Sequence, residues 1–440
     1  MAEADYLVLL LQLALMLLVA VICGQVMRWF HQPAVLGEML GGILLGPTIA
    51  GLLFPELQTW LFPSSGSVHT AATGIIRVGM LLYLFLIGLE IDLKSLRQYG
   101  LSAVAIGLAG TLVPLAAGIA MVYLLPDWWG IKRPEDQLPI ALFLGASMAN
   151  TANPVLARIL QELGLIKERL GGIIMSATVI DDLIGWSLAA VVASRYRLAS
   201  ETGVAGSPML DFSWGIVVGA LLLATILVVG RFVIGPLLSR TKDYLPTTAG
   251  ELPLLVGFVL LAAGLAESLG SHAMLGAFML GMALASQAER FTPAAKVLTQ
   301  VALGFFVPLY FVSMGLSANF IADFNWPQVL VVLGVACVSK IGSVFLAARF
   351  CGISSSLAGA VACGMNARGA VGIILAGMGL SAGLLDQTTY VSLVVMCLAT
   401  SLFAGPMMKL LVSPAPQQLK TCDESDSMLA ATAAPEQPIA

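Results

Sequence analysis

Two adjacent aspartates, Asp181 and Asp182, lie in the apolar stretch SATVIDDLIGW. An ionised group near the middle of a bilayer costs about 3 kcal/mol on insertion scales, so one that persists there faces a cavity or a partner. Successive residues of a helix diverge by about 100°, so the two carboxylates cannot do the same work from one face. Burial and a neighbouring negative charge favour the protonated form of an aspartate that has no cationic partner. Such an aspartate is suited to proton uptake and release near neutral pH.

Lys340, in VLGVACVSKIGSVFLAARF, is the buried ammonium expected to pair with one of these aspartates. Two opposite charges about 4 Å apart attract by about 4 kcal/mol at an effective dielectric constant of about 20, which offsets much of the burial cost. A static ion pair that only orients two helices would explain one carboxylate but not the second. We therefore expect one aspartate to pair with Lys340 and the other to face a water-filled cavity.

The elements that position these residues are membrane helices. Of the 440 residues, 59% are hydrophobic and 10% are charged, and the mean hydropathy is +0.95. Apolar windows of about 20 residues, the length that crosses the hydrocarbon layer, recur along nearly the whole chain. The predicted fold is all-α, with about 13 spans. These spans are residues 5–28, 34–53, 75–92, 101–125, 138–161, 170–195, 213–236, 252–269, 271–288, 299–318, 327–349, 356–381 and 388–412.

The distribution of basic residues predicts the orientation of the chain. Most of the 21 lysines and arginines fall in connections on one side of the predicted spans. Since basic residues collect on the cytoplasmic side of short loops, we expect the N-terminus outside and the C-terminus in the cytoplasm. Residues 413–440 are rich in proline, alanine and serine, and are predicted to form a disordered cytoplasmic tail.

Two predicted spans contain residues that interrupt a helix. In GASMANTANPVLARIL the proline lacks an amide proton and its ring clashes with the carbonyl four residues earlier, which predicts a break just before it. In CGMNARGAVGII an asparagine, an arginine and several glycines interrupt an apolar stretch. Interrupted spans at matching positions in two halves indicate an inverted-repeat secondary transporter with its site near the midplane. The predicted crossing residues are Thr151, Asn153, Pro154, Asn366 and Arg368.

In their order and spacing these segments resemble the monovalent cation:proton antiporter-2 family, whose exchanger domain they cover over about residues 5–412. The matching segments are QPAVLGEMLGGILLGP, FLIGLEID, NTANPV, VIDDLIGW, FFVPLYFVSMGL, the lysine at position 340 and MNARGAVGIILA. Any one of them is weak evidence. Together they are specific.

The resemblance implies a two-domain antiporter of 13 helices, usually a homodimer in the cell membrane. Its moving core would comprise residues 101–195 and 327–412, and its dimerisation scaffold residues 5–92 and 252–318. A linker helix at residues 213–236 would join them. The broken helices would cross beside the aspartates, and the core would carry the cation by an elevator-like movement.

Carried over residue by residue, the resemblance implies that Asp182 binds the cation and protons. Asp181 would pair with Lys340 when the cation is absent. Family members with two aspartates tend to be electrogenic sodium:proton exchangers, whereas potassium-efflux members commonly have glutamine where Asp181 stands. Many relatives have an acid where Gly372 stands, so the partner of Arg368 is left open.

We therefore expect secondary active exchange of sodium or lithium for protons, with no enzymatic reaction, no cofactor and no nucleic-acid partner. Potassium:proton exchange is the alternative. A sodium-coupled symporter of organic anions, in which Arg368 meets the substrate carboxylate, is a further one. An intramembrane aspartyl protease needs two carboxylates close enough to share a proton. Asp181 and Asp182 point apart on one helix and do not suit that chemistry.

Overall fold

The computed structural model of the chain describes a helical membrane protein. It describes residues 3–30, 32, 34–89, 93–131, 133–152, 156–157, 159–160, 163–165, 168–202, 224–237, 248–268, 273–285 and 292–412. Within these ranges all regular secondary structure is helical. The predicted tail and residues 213–223 of the predicted linker helix lie outside the described residues, as do Asn153 and Pro154.

We number the described α-helices in chain order. They are α1 Glu3–Trp29, α2 Ala34–Leu45, α3 Ala50–Leu53, α4 Pro55–Leu61, α5 Gly66–Leu89, α6 Leu93–Leu124, α7 Gln137–Ala149, α8 Arg169–Thr202, α9 Ala224–Leu237, α10 Thr248–Ser268, α11 Ala273–Leu284, α12 Thr292–Val301, α13 Val307–Leu316, α14 Trp326–Phe350, α15 Ser355–Met365, α16 Gly369–Ser381 and α17 Gln387–Val412. A π-helical turn, Ala302–Phe306, joins α12 to α13.

Eight described helical segments are long and apolar enough to cross a membrane. Shorter apolar helices account for much of the difference from the predicted 13 spans. The predicted span 356–381 is divided into α15 and α16, each shorter than the roughly 20 residues that a crossing needs. The interruption at residues 366–368 therefore divides this apolar segment into two short helices.

The third predicted span begins earlier than expected. The prediction placed it at residues 75–92, but α5 starts at Gly66. The polar residues of its first turns, such as Ser67 and Thr70, lower the hydropathy and hide this start. The Thr70 hydroxyl donates a hydrogen bond to the carbonyl of Gly66 at 2.9 Å, so this polar group is satisfied within the helix itself. The short helix α4 was not predicted, and it begins with Pro55, a residue favoured at the first helical position.

Helix α6 contains a sharp change of direction at Gly100. This glycine has φ 51° and ψ −135°, a conformation that residues with a side chain rarely adopt. The membrane-length part of the helix is Gly100–Leu124, close to the predicted span at 101–125. The glycine thus divides the crossing helix from the turn before it.

The helices pack in two sets. In one set α2 packs against α1 and α13, and α11 packs against α5 and α10. A side chain at Gly42 of α2 would overlap the carbonyl of Val312, so this glycine lets α2 and α13 approach closely. In the other set α6 packs against α7, α8 and α14, and α17 packs against α14, α15 and α16. The aspartates and the lysine that are predicted to form the functional site belong to this second set.

Candidate functional site

The site forms where two interrupted helices meet. Helix α7 ends at Ala149, and Asn150 after it is extended, with φ −71° and ψ 144°. Helix α15 ends at Met365, and α16 begins at Gly369. The amide of Ala152 donates to the carbonyl of Ala367 at 2.7 Å, so the two irregular segments bind each other through their backbones. Backbone groups freed by each break thereby find partners inside the protein, as they must in a bilayer.

Asp181, on α8, accepts hydrogen bonds from three side chains. Lys340 contacts its Oδ2 as an ion pair. Thr151 donates to the same oxygen at 2.5 Å, and Thr111 of α6 donates to Oδ1 at 2.5 Å. Asp181 and Lys340 are both 0% exposed. The charge of this carboxylate is therefore balanced and hydrogen-bonded entirely within the protein, which is what a buried ion needs.

Lys340 extends from the middle of α14 towards the end of α7. Besides Asp181, its ammonium donates to the carbonyl of Ala149 at 2.6 Å. The last carbonyls of a helix lack intrahelical partners and carry partial negative charge. The lysine therefore binds the C-terminal end of the broken helix together with the aspartate, and it joins three helices at one point.

Asp182 follows Asp181 on α8 and is also buried, at 1% exposure. The sequence predicted that the second carboxylate would face a water-filled cavity. In this conformation its side chain is buried within the protein instead.

Arg368, between α15 and α16, binds backbone carbonyls. It donates from Nε to Met148 at 2.9 Å and from Nη2 to Ala336 at 2.9 Å, and Nη1 contacts the Asn366 side-chain oxygen at 2.6 Å. These contacts answer the question of its partner: the guanidinium caps the end of α7 beside Lys340. A side chain at Gly372 would overlap the sulfur of Cys397, so an acidic residue at this position would not fit without repacking.

The structure brings most of the predicted site residues together. Asp181, Lys340 and Thr151 are in direct contact, and Asp182 is adjacent to them on α8. Asn366 and Arg368 contact each other at the second break. The predicted residues Asn153 and Pro154 lie outside the described part of the chain.

Sequence reasoning missed Thr111. A threonine in an apolar helix commonly donates its hydroxyl to the carbonyl one turn earlier. The Thr111 hydroxyl does lie 2.8 Å from the carbonyl oxygen of Gly107. Nothing in the local sequence separates it from such a threonine. Its contact with Asp181 depends on the packing of α6 against α8, which periodicity alone does not fix.

The described site contains two carboxylates and two cationic side chains, all buried. Its formal charge is therefore balanced while both aspartates are ionised and Lys340 and Arg368 are protonated. Binding of a further cation needs the loss of a proton or the displacement of the lysine. In the described ranges no three His, Cys, Asp or Glu residues are grouped as a metal site. A carboxylate in such a site can be neutralised either by a proton or by a bound cation.

Comparisons with known proteins agree with this architecture. Residues 15–413 match the family model described as "Sodium/hydrogen exchanger, transmembrane". The chain is 30% identical over 410 residues to a protein of Arabidopsis thaliana named Cation/H(+) antiporter 17, covering 92% of this chain and 48% of that protein. It is 29% identical over 400 residues to Na(+)/H(+) antiporter NhaS4 of Synechocystis, covering 89% and 94% respectively.

The chain spans about half the length of the Arabidopsis relative but nearly all of the Synechocystis one. Among solved structures, the sodium proton antiporter MjNhaP1 of Methanocaldococcus jannaschii at pH 8 matches with a TM-score of 0.67. That match covers 93% of this chain and 97% of the other at 15% identity. At this identity the likeness concerns the fold.

Proposed function

The chain belongs to the sodium/hydrogen exchanger transmembrane family, and we propose that it is a secondary active antiporter that exchanges sodium or lithium for protons. The observation that carries this proposal is a second buried carboxylate, Asp182, directly beside an ion pair that already joins Asp181 to Lys340. A structural ion pair needs only one of the two aspartates. The other is then the site of the transported ions.

In the proposed mechanism the cation and the proton compete for the same carboxylate. The cation binds Asp182 after a proton has left it. A second proton leaves the Asp181–Lys340 pair, Lys340 separates from Asp181, and the Asp181 oxygens contribute to the same site. Proton uptake on the other side restores the Asp181–Lys340 pair and expels the cation. If both events cycle, two protons exchange for one cation, and transport is electrogenic.

The closed site gives this exchange a geometric requirement. Since Asp182 is buried, alternating access requires one set of helices to move against the other. We propose that residues 101–195 and 327–412 form a core that moves as an elevator. Residues 5–92 and 252–318 would form the scaffold of a homodimer, with residues 213–236 as the linker. The protein would lie in the cell membrane with its N-terminus outside and its C-terminus in the cytoplasm.

Potassium is the alternative cation, because the Arabidopsis relative's name specifies only a cation. Asp181 favours sodium over potassium, because the family resemblance associates glutamine at this position with potassium-efflux members. Once Lys340 has separated from Asp181, the anionic oxygens of both carboxylates are available to a small ion such as sodium or lithium. The carbonyl contacts of Arg368 disfavour the organic anion symporter, since the guanidinium is engaged by the protein and is 0% exposed.

The proposal is tested by reconstituting the protein in liposomes with an acid-inside pH gradient and a pH-sensitive dye in the lumen. We expect the lumen to become alkaline when sodium or lithium is added outside, and not when potassium is added. A response that changes with an imposed membrane potential would support electrogenic exchange. A response to potassium alone would overturn the proposed selectivity. A protein that exchanges none of the three cations across a range of pH would contradict antiport itself.

A further inference from the structure

Asn150 lies at the break in α7 and is not among the residues that sequence reasoning placed in the site. It is the first residue after the helix, directly before Thr151, whose hydroxyl contacts Asp181. Its side chain is buried, at 0% exposure. An amide at this position is thus enclosed in the same part of the protein as the two aspartates.

The amide of Asn150 has a fixed orientation. Its Oδ1 accepts from the backbone N–H of Thr151 at 3.1 Å. Exchanging the oxygen and nitrogen would set two donors against each other, so Nδ2 must point the other way. Within the described residues this nitrogen has no hydrogen-bond acceptor. Buried donors are nearly always paired, and an exception calls for an explanation.

The NH2 group faces α8 at Gly185. A β-carbon built on Gly185 would lie 2.8 Å from Nδ2 and 3.1 Å from Cγ of Asn150. A helical side chain leans towards the preceding turn, so a side chain at residue 185 would lean over Asp181 and Asp182. The asparagine amide occupies that place, because the glycine leaves it empty.

On α8, Gly185 follows Asp181 by four residues and Asp182 by three, so both carboxylates lie one turn before it. Both oxygens of Asp181 already accept hydrogen bonds from threonine hydroxyls, and Oδ2 also contacts Lys340. We propose that Asn150 is a positioning residue that holds the Asp182 carboxylate towards the transported cation, with Nδ2 donating to it through one bridging water. Because Gly185 has no side chain, it leaves the space that this contact needs. The inference rests on the proposed role of Asp182 in cation binding.

The contact between Asn150 and Asp182 affects how tightly the cation binds before it is transported. It orients the ligand before transport, so its loss raises KM for the cation and leaves kcat nearly unchanged. Residues that orient a metal ligand typically change metal affinity about 10- to 100-fold. We expect Asn150→Leu, which keeps the shape of the side chain and removes the donor, to raise the sodium KM about ten-fold.

The experiment measures sodium-dependent exchange in proteoliposomes for Asn150→Leu, Asn150→Ala, Gly185→Ala and the double variant Asn150→Ala/Gly185→Ala. Gly185→Ala leaves Asn150 unchanged but displaces its amide, so it is expected to raise KM as Asn150→Leu does. In the Asn150→Ala background the same glycine substitution should add nothing, because the amide it would displace is gone. Gly342→Ala on α14 is the matched control, since a β-carbon there meets no atom within 4 Å.

Raised KM in both single variants, with kcat within about two-fold of the unmodified protein and no added effect in the double variant, supports the inference. Unchanged KM in Asn150→Leu and Gly185→Ala would overturn it. So would a glycine effect of the same size with and without Asn150, which would indicate general helix packing. Exchange that survives Asp182→Asn would instead contradict the proposed function, so the two failures are distinguishable.

Discussion

Asp182→Asn is expected to reduce sodium:proton exchange to the level of protein-free liposomes. The substitution keeps the size of a side chain that is 1% exposed and removes its negative charge. At about 4 Å and an effective dielectric constant of about 20, that charge attracts a cation by about 4 kcal/mol. The corresponding loss of affinity is about a thousand-fold. The neutral amide also takes up no proton, so both halves of the exchange fail together.

The measurement is dye-reported alkalinisation in proteoliposomes that contain equal amounts of unmodified and Asp182→Asn protein. Asp127→Asn, at an exposed residue of the short helical turn Pro126–Trp128, controls for the substitution itself and should exchange normally. Substantial exchange by Asp182→Asn would show that the ions bind elsewhere.

Lys340→Met is expected to destabilise the protein as well as to impair transport. The methionine fills much of the same space, but Asp181 is left as a buried carboxylate whose cationic contact is gone. Breaking a buried ion pair by removing one partner typically costs about 3–5 kcal/mol. The alternative for Asp181 is to remain protonated, and then the proposed coupling between lysine and cation is lost.

Thermal unfolding in detergent and exchange in liposomes measure the two effects separately. The double variant Asp181→Asn/Lys340→Met should recover most of the lost Tm, because an asparagine can still contact Thr111 and Thr151 without a buried charge. Lys409→Met, at an exposed position near the end of α17, is the control and should leave the Tm unchanged. A Tm of Lys340→Met equal to that of the unmodified protein would show that the Asp181–Lys340 pair does not stabilise the fold.

Much of the membrane architecture could be predicted because a bilayer restricts what an apolar chain can do. Continuous apolar runs such as Glu3–Trp29 and Trp326–Phe350 were placed to within a few residues. The start of α5 was wrong, since its first turns carry hydroxyl groups that bond within the helix and lower the hydropathy. Hydropathy reports transfer into lipid, whereas a helix continues wherever its backbone bonds are made.

Part of the site could also be predicted from the sequence, for a related reason. An aspartate pair and a lysine in apolar stretches are costly enough to stand out, and the structure places Asp181 and Lys340 in contact. Thr111 and Asn150 are neutral and do not stand out. Their positions beside α8 follow from how α6 and α7 pack on it, and that packing depends on small residues such as Gly185 rather than on any motif.

Arg368 shows the limit of reasoning from charge alone. The family resemblance suggested an acidic partner at position 372, where this chain has a glycine. The guanidinium instead donates to carbonyls of Met148 and Ala336. Met148 lies at the end of the broken helix α7. A sequence predicts such an unpaired carbonyl only when the exact residue at which the helix breaks is known.

If the cation and the proton compete for Asp182, cation binding to the protein must release protons. Sodium is added to the purified protein in weakly buffered detergent solution, and the pH is followed with an indicator, without any transport. We expect protons to be released in proportion to the sodium bound, because a carboxylate must lose its proton to bind a metal ion. We expect Asp182→Asn to release none. Sodium binding to the unmodified protein without proton release would contradict this competition.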